Sequence, residues 1–319
     1  MTSDGVRRNA GPVVVALGGN TLLGERGPWT FEEQRSVVER TARQVAEVIE
    51  RGYDVVLTHG NGPQVGNLLL QQERAGETPQ LPLDVLVAET QAQIGYLLQQ
   101  ALDNELAGPS DFITLVTQVV VDPDDPAFEA PSKPVGPFYT EAEAAEKPFE
   151  TRAVGSGDRP YRRVVPSPEP VDIVEVDEIA QLVAMGTHVV SAGGGGVPVV
   201  RDDGLRGVEA VVDKDKTSQL LAATLGAETL VVLTDVECAY VDYGDPGQKP
   251  LGRVAAADLR THLQAGEFGE GSMRPKVEAC LRFVEGGGER AVITSPERLT
   301  AALAGEAGTQ IFDGTGSNE

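Results

Sequence analysis

Lys214 and Lys216 flank Asp215 in the run Gly207 to Val236, where an apolar-rich stretch gives way to good helix formers. Val208 to Val212 reads as a short strand and Thr217 to Leu225 as a helix closed by Gly226, with Leu220, Leu221 and Thr224 on one face. Positive charge at a strand–turn–helix junction makes an anion site, because helix N-terminal amides and ammonium groups point into one volume. A third lysine, Lys276, opens a later helix after Gly271-Ser272-Met273-Arg274-Pro275, and Lys133 sits in a stiff proline frame from Pro131 to Phe138. Only six of the 26 basic residues are lysines: Lys133, Lys147, Lys214, Lys216, Lys249 and Lys276. A surface so poor in lysine makes each one a better functional candidate. Lys147 and Lys249 lie in polar loops and read as ordinary surface residues.

Glycines supply the other half of an anion site. Gly18-Gly19-Asn20 follows the apolar run Val13 to Leu17, His59-Gly60-Asn61-Gly62 follows Asp54 to Thr58, and Gly193 to Gly196 follows His188 to Ser191. Glycine after a buried strand lets a ligand approach the backbone and leaves amides free for anions. In open parallel sheets the ligand crevice lies outside the carboxyl ends of the strands. A single Gly-Gly is equally well a tight turn, and His59 reads first as a turn residue. The chain has no Gly-x4-Gly-Lys-Ser/Thr loop and no Gly-x-Gly-x-x-Gly after its first strand. No Ser/His/Asp order or metal-ligand spacing is readable, and Cys238 and Cys280 read as small core residues. Phosphoryl transfer fits what remains, since it needs mainly positioning and neutralisation of oxygen charge.

The elements that must position these residues alternate strand and helix. Helices are expected at about 31 to 51, 62 to 74, 83 to 106, 174 to 185 and 255 to 265, and strands at 112 to 121, 230 to 233 and 291 to 294, with a hairpin at 239 to 243. This alternation predicts an α/β fold with a mostly parallel sheet and helices on both faces. Between Asp122 and Pro170 ten prolines interrupt any helical period, so this stretch reads as a protruding insertion of loops and short strands. With 319 residues and a formal charge of −23 the chain has a hydrated acidic surface and no basic stripe, which argues against nucleic acid as a partner and for a high-salt cytoplasm. No signal peptide or membrane-spanning run is readable, so the expectation is a soluble cytoplasmic protein with no membrane partner.

Eight segments together resemble the carbamate kinases of the amino acid kinase superfamily, almost end to end: 14–20, 58–71, 117–124, 133–138, 164–170, 192–199, 207–215 and 271–279. The resemblance implies a three-layer αβα sandwich with a small protruding subdomain, within a single domain spanning 1–319. An N-terminal acceptor lobe would cover about 13–200, with the insertion at about 122–170, and a C-terminal nucleotide lobe about 201–319. It further implies a homodimer that moves a phosphoryl group between ATP and carbamate, with carbamoyl phosphate and ADP on the other side, in arginine breakdown. Mg²⁺ would be carried by the nucleotide, with no metal ligand from the protein.

Residue by residue, Gly18, Gly19, Asn20, Gly60, Asn61, Gly62, Gly194 and Gly195 would hold the acceptor and the transferring phosphoryl. Lys214 and Lys276 would bind nucleotide phosphates and stabilise the transition state, with Asp215 orienting them. Lys133 would reach in from the subdomain, since Ala16 stands where superfamily relatives often carry a lysine. Thr234, Asp235, Tyr243, Gly244 and Met273 would contribute to the nucleotide pocket. Lys216 departs from the family pattern and reads as exposed. Two alternatives stay open, an acylamino acid kinase of the same fold and a non-catalytic nucleotide sensor.

Overall fold

Val13–Leu17 is buried at all five positions, as is Val55–His59 and Thr229–Leu233. Strands covered on both faces are mostly apolar without alternation, the buried Thr58, His59 and Thr229 at strand ends being the polar members. Their side chains nevertheless divide by parity. Val14, Ala16, Val56, Leu230 and Val232 join one core, and Val13, Val15, Leu17, Val55, Leu57, Val231 and Leu233 join another. Successive Cβ atoms point to opposite faces of a sheet, so one strand feeds two layers.

The computed structural model describes residues 11–18, 30–106, 111–269 and 271–314. Its central sheet has eight strands. In spatial order they are Arg253–Ala255, Thr309–Phe312, Arg290–Thr294, Thr229–Leu233, Val13–Leu17, Val55–His59, His188–Val190 and Phe112–Thr114. Every neighbouring pair is parallel except Arg290–Thr294 with Thr309–Phe312. The helices Phe31–Glu50 and Leu83–Glu105 cover one face, with Val38, Val45, Ile94 and Leu98 in its core. The helices Lys214–Thr224 and Met273–Glu285 cover the other, through Leu221, Ala222, Val277 and Leu281. This is the expected αβα sandwich.

Three local expectations change. Phe112 to Val121 is two strands: between them Gln91 brackets Thr117 (Oε1 from its N at 2.8 Å, Nε2 to its O at 3.0 Å), and Val197 of the second sheet also donates to the Thr117 carbonyl at 2.9 Å. After Thr114 the chain therefore leaves the central sheet. Gln118–Val121 joins a second sheet with Val197–Arg201, Leu205–Gly207 and Pro170–Ile173. Val208 to Val212 is not a strand; the strand is Leu205–Gly207, and the apolar run after it packs irregularly. The following helix starts at Lys214, and its buried face is Asp215, Thr217, Ser218, Leu221 and Ala222, with Thr224 exposed.

The proline-rich insertion contains a small antiparallel sheet of Lys133–Tyr139, Tyr161–Val165 and Thr151–Ala153. Lys147 is not a free surface residue there: it is half-buried, paired with Glu73 at 3.1 Å, and lies 4.4 Å from the Tyr139 ring centroid. The expected loops thus form a folded subdomain held against the body.

Candidate active site

The sequence Asp213-Lys214-Asp215 places its own helix start. Asp213 is extended and its Oδ1 accepts the amide of Asp215 at 2.9 Å, the geometry of an N-cap. That cap puts Lys214 and Asp215 in the first turn, where the amide dipoles favour anions. Lys214 donates to Asp215 Oδ1 at 2.5 Å and Lys276, arriving from the Met273–Glu285 helix, to Oδ2 at 3.2 Å. Lys133 reaches from the subdomain to Asp213 Oδ2 at 2.7 Å. Residues 80 and 61 positions apart in sequence thus meet around one helix N-terminus.

Three ammonium groups face two carboxylates, so the cluster keeps excess positive charge inside a strongly acidic protein. Burial opposes ionisation of Asp213, yet Lys133 at contact distance and the neighbouring Lys214 hold its pKa at about 2. Burial works against Asp215 too, and Lys214 and Lys276 outweigh it and hold the carboxyl below its ordinary range. Burial pushes Lys214 below the usual lysine range, with Lys276 adding to it and Asp215 opposing. An entering anion would relieve the repulsion between the lysines while Asp215 keeps both heads in place.

Glycines bring the walls together. The left-handed backbone of Gly194 (φ +67°) lies against Asn61, so that a Cβ there would fall 2.2 Å from Asn61 Nδ2. Asn61 is held in turn by donating to Thr90 Oγ1 at 2.9 Å. A Cβ on Gly193 would meet the His59 ring at 2.4 Å. Thr217 donates to the Gly195 carbonyl at 2.9 Å, and Thr58 and Ser218 share a 2.6 Å hydrogen bond beneath the Lys214 helix. The amide of Gly60 donates to Leu17 O at 3.1 Å, tying the second strand end to the first. Gly18 lies at that first end and Gly62 opens the helix after the second. Gly60, Asn61, Gly194, Gly195, Lys133, Lys214, Asp215 and Lys276 therefore converge. Gly19 and Asn20 lie outside the described residues.

Most of the residues expected to form a nucleotide pocket assemble beside this cluster. Thr234, Asp235, Tyr240, Tyr243, Phe268 and Met273 line a cleft of about 300 Å³. Met273 enters it three residues before Lys276 on one helix, so the cleft and the lysines are parts of one surface. Gly244, beside Tyr243, has a left-handed φ of +90° and is not among the residues lining the cleft. Its amide instead donates to Gln248 Oε1 at 3.1 Å.

Sequence reading missed Asp213, although an aspartate directly before helix formers is an N-cap signal that could have found it. Thr58, Thr217 and Ser218 carried no signal apart from their neighbours. Lys216 corrects an expectation: it is not simply exposed but pairs with Glu169.

His59 sits at the bottom of the site, buried, with Nδ1 3.1 Å from the Gly60 carbonyl. Burial pushes its pKa down to about 4, the Gly60 carbonyl opposes this and the charge of Lys214 adds to it. Between the ordinary value of 6.5 and about 4 the unfolded chain takes up a proton that the folded chain refuses. Its contribution is therefore complete above about pH 6.5 and is lost as pH falls toward 4. His59→Leu is expected to remove about 2 kcal/mol of the stability difference between pH 7.5 and 4.5 measured by denaturant unfolding. Equal differences in the two proteins would show that the ring is not held neutral.

The model of the amino acid kinase family matches residues 11–295. The chain is 54% identical over 301 residues to a carbamate kinase of Halobacterium salinarum, covering 93% of this chain and 97% of the relative. The chain belongs to the amino acid kinase family, on its carbamate kinase branch. A carbamate kinase of Thermococcus kodakarensis is 49% identical over 310 residues, covering 94% and 98%. The solved carbamate kinase of Giardia lamblia bound to AMP-PNP superposes with a TM-score of 0.89 at 40% identity, covering 95% and 99%. The expected family is thus established, and these kinases share the αβα sandwich described above.

Proposed function

We propose that the protein catalyses reversible phosphoryl transfer between ATP and carbamate, forming ADP and carbamoyl phosphate. The observation that carries this reading is the convergence of Lys133, Lys214 and Lys276 on Asp213 and Asp215 at one helix N-terminus. Transfer of a phosphoryl group develops charge on non-bridging oxygens, and preformed cations stabilise it without a covalent step. Lys214 and Lys276 contact the transferring group, and Asp215 keeps their heads from moving apart. Lys133 approaches from the acceptor side, and Gly60, Asn61, Gly194 and Gly195 border the carbamate.

The nucleotide occupies the cleft at Thr234, Asp235, Tyr243 and Met273; that the chain takes a nucleotide is supported by the Giardia lamblia relative, which is bound to AMP-PNP. The N-terminal lobe thus holds the acceptor and the C-terminal lobe the nucleotide. Mg²⁺ enters as the counter-ion of the nucleotide phosphates. In this reading the reaction belongs to arginine breakdown.

Two further features belong to this reading. No helix among the described residues is long and apolar enough to cross a membrane, and we place the enzyme in a cytoplasm rich in salt, where counterions screen its charge. A homodimer is supported by Tyr96, Ile113 and Val116, all exposed beside the edge strand Phe112–Thr114 of the central sheet.

The deciding measurement is ATP formation from carbamoyl phosphate and Mg²⁺–ADP in molar KCl, with acetyl phosphate as the control. We expect turnover with carbamoyl phosphate at least about a hundredfold above the control. Activity with an acylamino acid and not carbamate would move the assignment within the fold, and no activity with any acceptor in a folded sample would leave a nucleotide sensor.

A further inference from the structure

Glu169 lies in Pro166-Ser167-Pro168-Glu169-Pro170, at the exit of the insertion that carries Lys133. Prolines on both sides fix neighbouring backbone angles, and the residue before a proline is confined to extended conformations. Its amide donates to Asp125 Oδ2 at 3.0 Å, which fastens this segment to the entrance of the same insertion. The carboxylate is therefore mounted on stiff backbone before any side-chain contact is made.

From that mount it grips two helices at once. Oε1 accepts from Lys216 on the Lys214–Thr224 helix, and Oε2 accepts from Arg282 on the Met273–Glu285 helix at 2.9 Å. At about 100° per residue, Lys216 projects roughly 200° around its helix from Lys214, and Arg282 roughly 240° around its own from Lys276. The contacts are thus made on flanks turned away from the reacting lysines. Against its partial burial, Lys216 and Arg282 hold the Glu169 carboxyl below its ordinary range, so both contacts are ionic.

Partly exposed ion pairs contribute little to global stability. Here one carboxylate serves two cations, and its own placement is already fixed by proline. What such a contact can do is set the spacing of two helices whose other flanks supply Lys214 and Lys276. A 1 Å displacement of groups that stabilise a transition state is costly even when the fold is unaffected.

We propose that Glu169, with Lys216 and Arg282, is a positioning clip that holds the two lysine-bearing helices in register with each other and with the exit of the Lys133 subdomain. None of the three touches the reacting atoms. The kinetic part of the proposal rests on the carbamate kinase reading; the geometric part does not.

The test is Glu169→Gln, which keeps size and removes charge, with Arg282→Met as a second, exposed variant. Amide hydrogen exchange in segments 214–218 and 273–277 is expected to quicken about fivefold or more in both variants. The melting temperature should move by less than about 3 °C. ATP formation should lose about tenfold in kcat, with the KM for ADP within about twofold, and the double variant should be no slower than the worse single one. Unchanged exchange at either helix start, or additive losses in the double variant, would overturn the clip. A purely structural role would lower the melting temperature and leave kcat intact, which also overturns it. If the unmodified protein makes no ATP from carbamoyl phosphate, the carbamate kinase reading fails by itself, and the exchange rates still decide the clip.

Discussion

Lys276→Ala is expected to lower the rate of ATP formation from carbamoyl phosphate about a thousandfold. Lys276 reaches Asp215 across 61 sequence positions at 3.2 Å, and its side chain keeps 14% of its surface. Its ammonium is thus largely dehydrated before substrate arrives, and charge developing on a phosphoryl oxygen would meet a cation that needs no reorganisation. The loss should fall mainly on kcat, because a group matched to the transition state does little for the ground state. Asp215 keeps Lys214 as a partner at 2.5 Å, so the buried carboxylate is not orphaned and the variant should remain folded. Lys276→Met, which retains the apolar stem, should lose as much rate as Ala, since the charge and not the packing is at stake. Steady-state kinetics beside a thermal melt checks this, and turnover within threefold of the unmodified enzyme would remove Lys276 from the transition state.

Gly195→Ala is expected to cost the fold about 3 kcal/mol or more and to disorder the site with it. Two effects add at this position. The backbone is left-handed, at φ +89°, and a Cβ would stand 2.2 Å from the Val212 carbonyl oxygen and 2.8 Å from its carbon. Both are backbone atoms of Val212, two residues ahead of the Lys214 helix, so relief of the clash must shift the helix start itself. The Gly195 carbonyl also accepts from Thr217, which passes the displacement into the same turn. Gly186→Ala is the control, with φ +85° and nothing near the added carbon; it should cost only about 1 kcal/mol of backbone strain. Denaturant unfolding of both variants separates the two effects. Equal losses would mean that close approach between the glycine loop and Val212 is unimportant.

Much of the architecture was legible because it follows from local rules. Continuous apolar runs such as Val13–Leu17 had to be strands covered on both faces. The helix Gly62–Arg74 begins where glycine and proline permit it, at the residues expected from its pattern. Where expectation and structure part, a distant residue intervened. Beyond Thr114, Gln91 brackets both backbone groups of Thr117 and Val197 of the second sheet also donates to the Thr117 carbonyl, and nothing in the run Phe112 to Val121 announces either partner. Val208 to Val212 has strand composition but no strand, because its amides bond separate partners, Val208 to Pro198 O and Val211 to Pro166 O, ahead of the Asp213 cap.

The site divides along the same line. The sequence by itself determined which groups were available: scarce lysines in an acidic chain, glycines at strand ends, and an aspartate between two lysines. Local chemistry is sufficient for that, since caps, turns and strand ends depend on residues within a few positions. Only the tertiary structure decided how the lysines are shared out. Lys276 goes to Asp215, Lys133 to Asp213, and Lys216, which stands beside Asp215 in sequence, turns away to Glu169. A helix sends residues two apart to opposite flanks, and pairing across 61 or 80 positions depends on how helices and subdomain pack on the sheet. Coulomb attraction acts between neighbours in space, and only folding makes these residues neighbours.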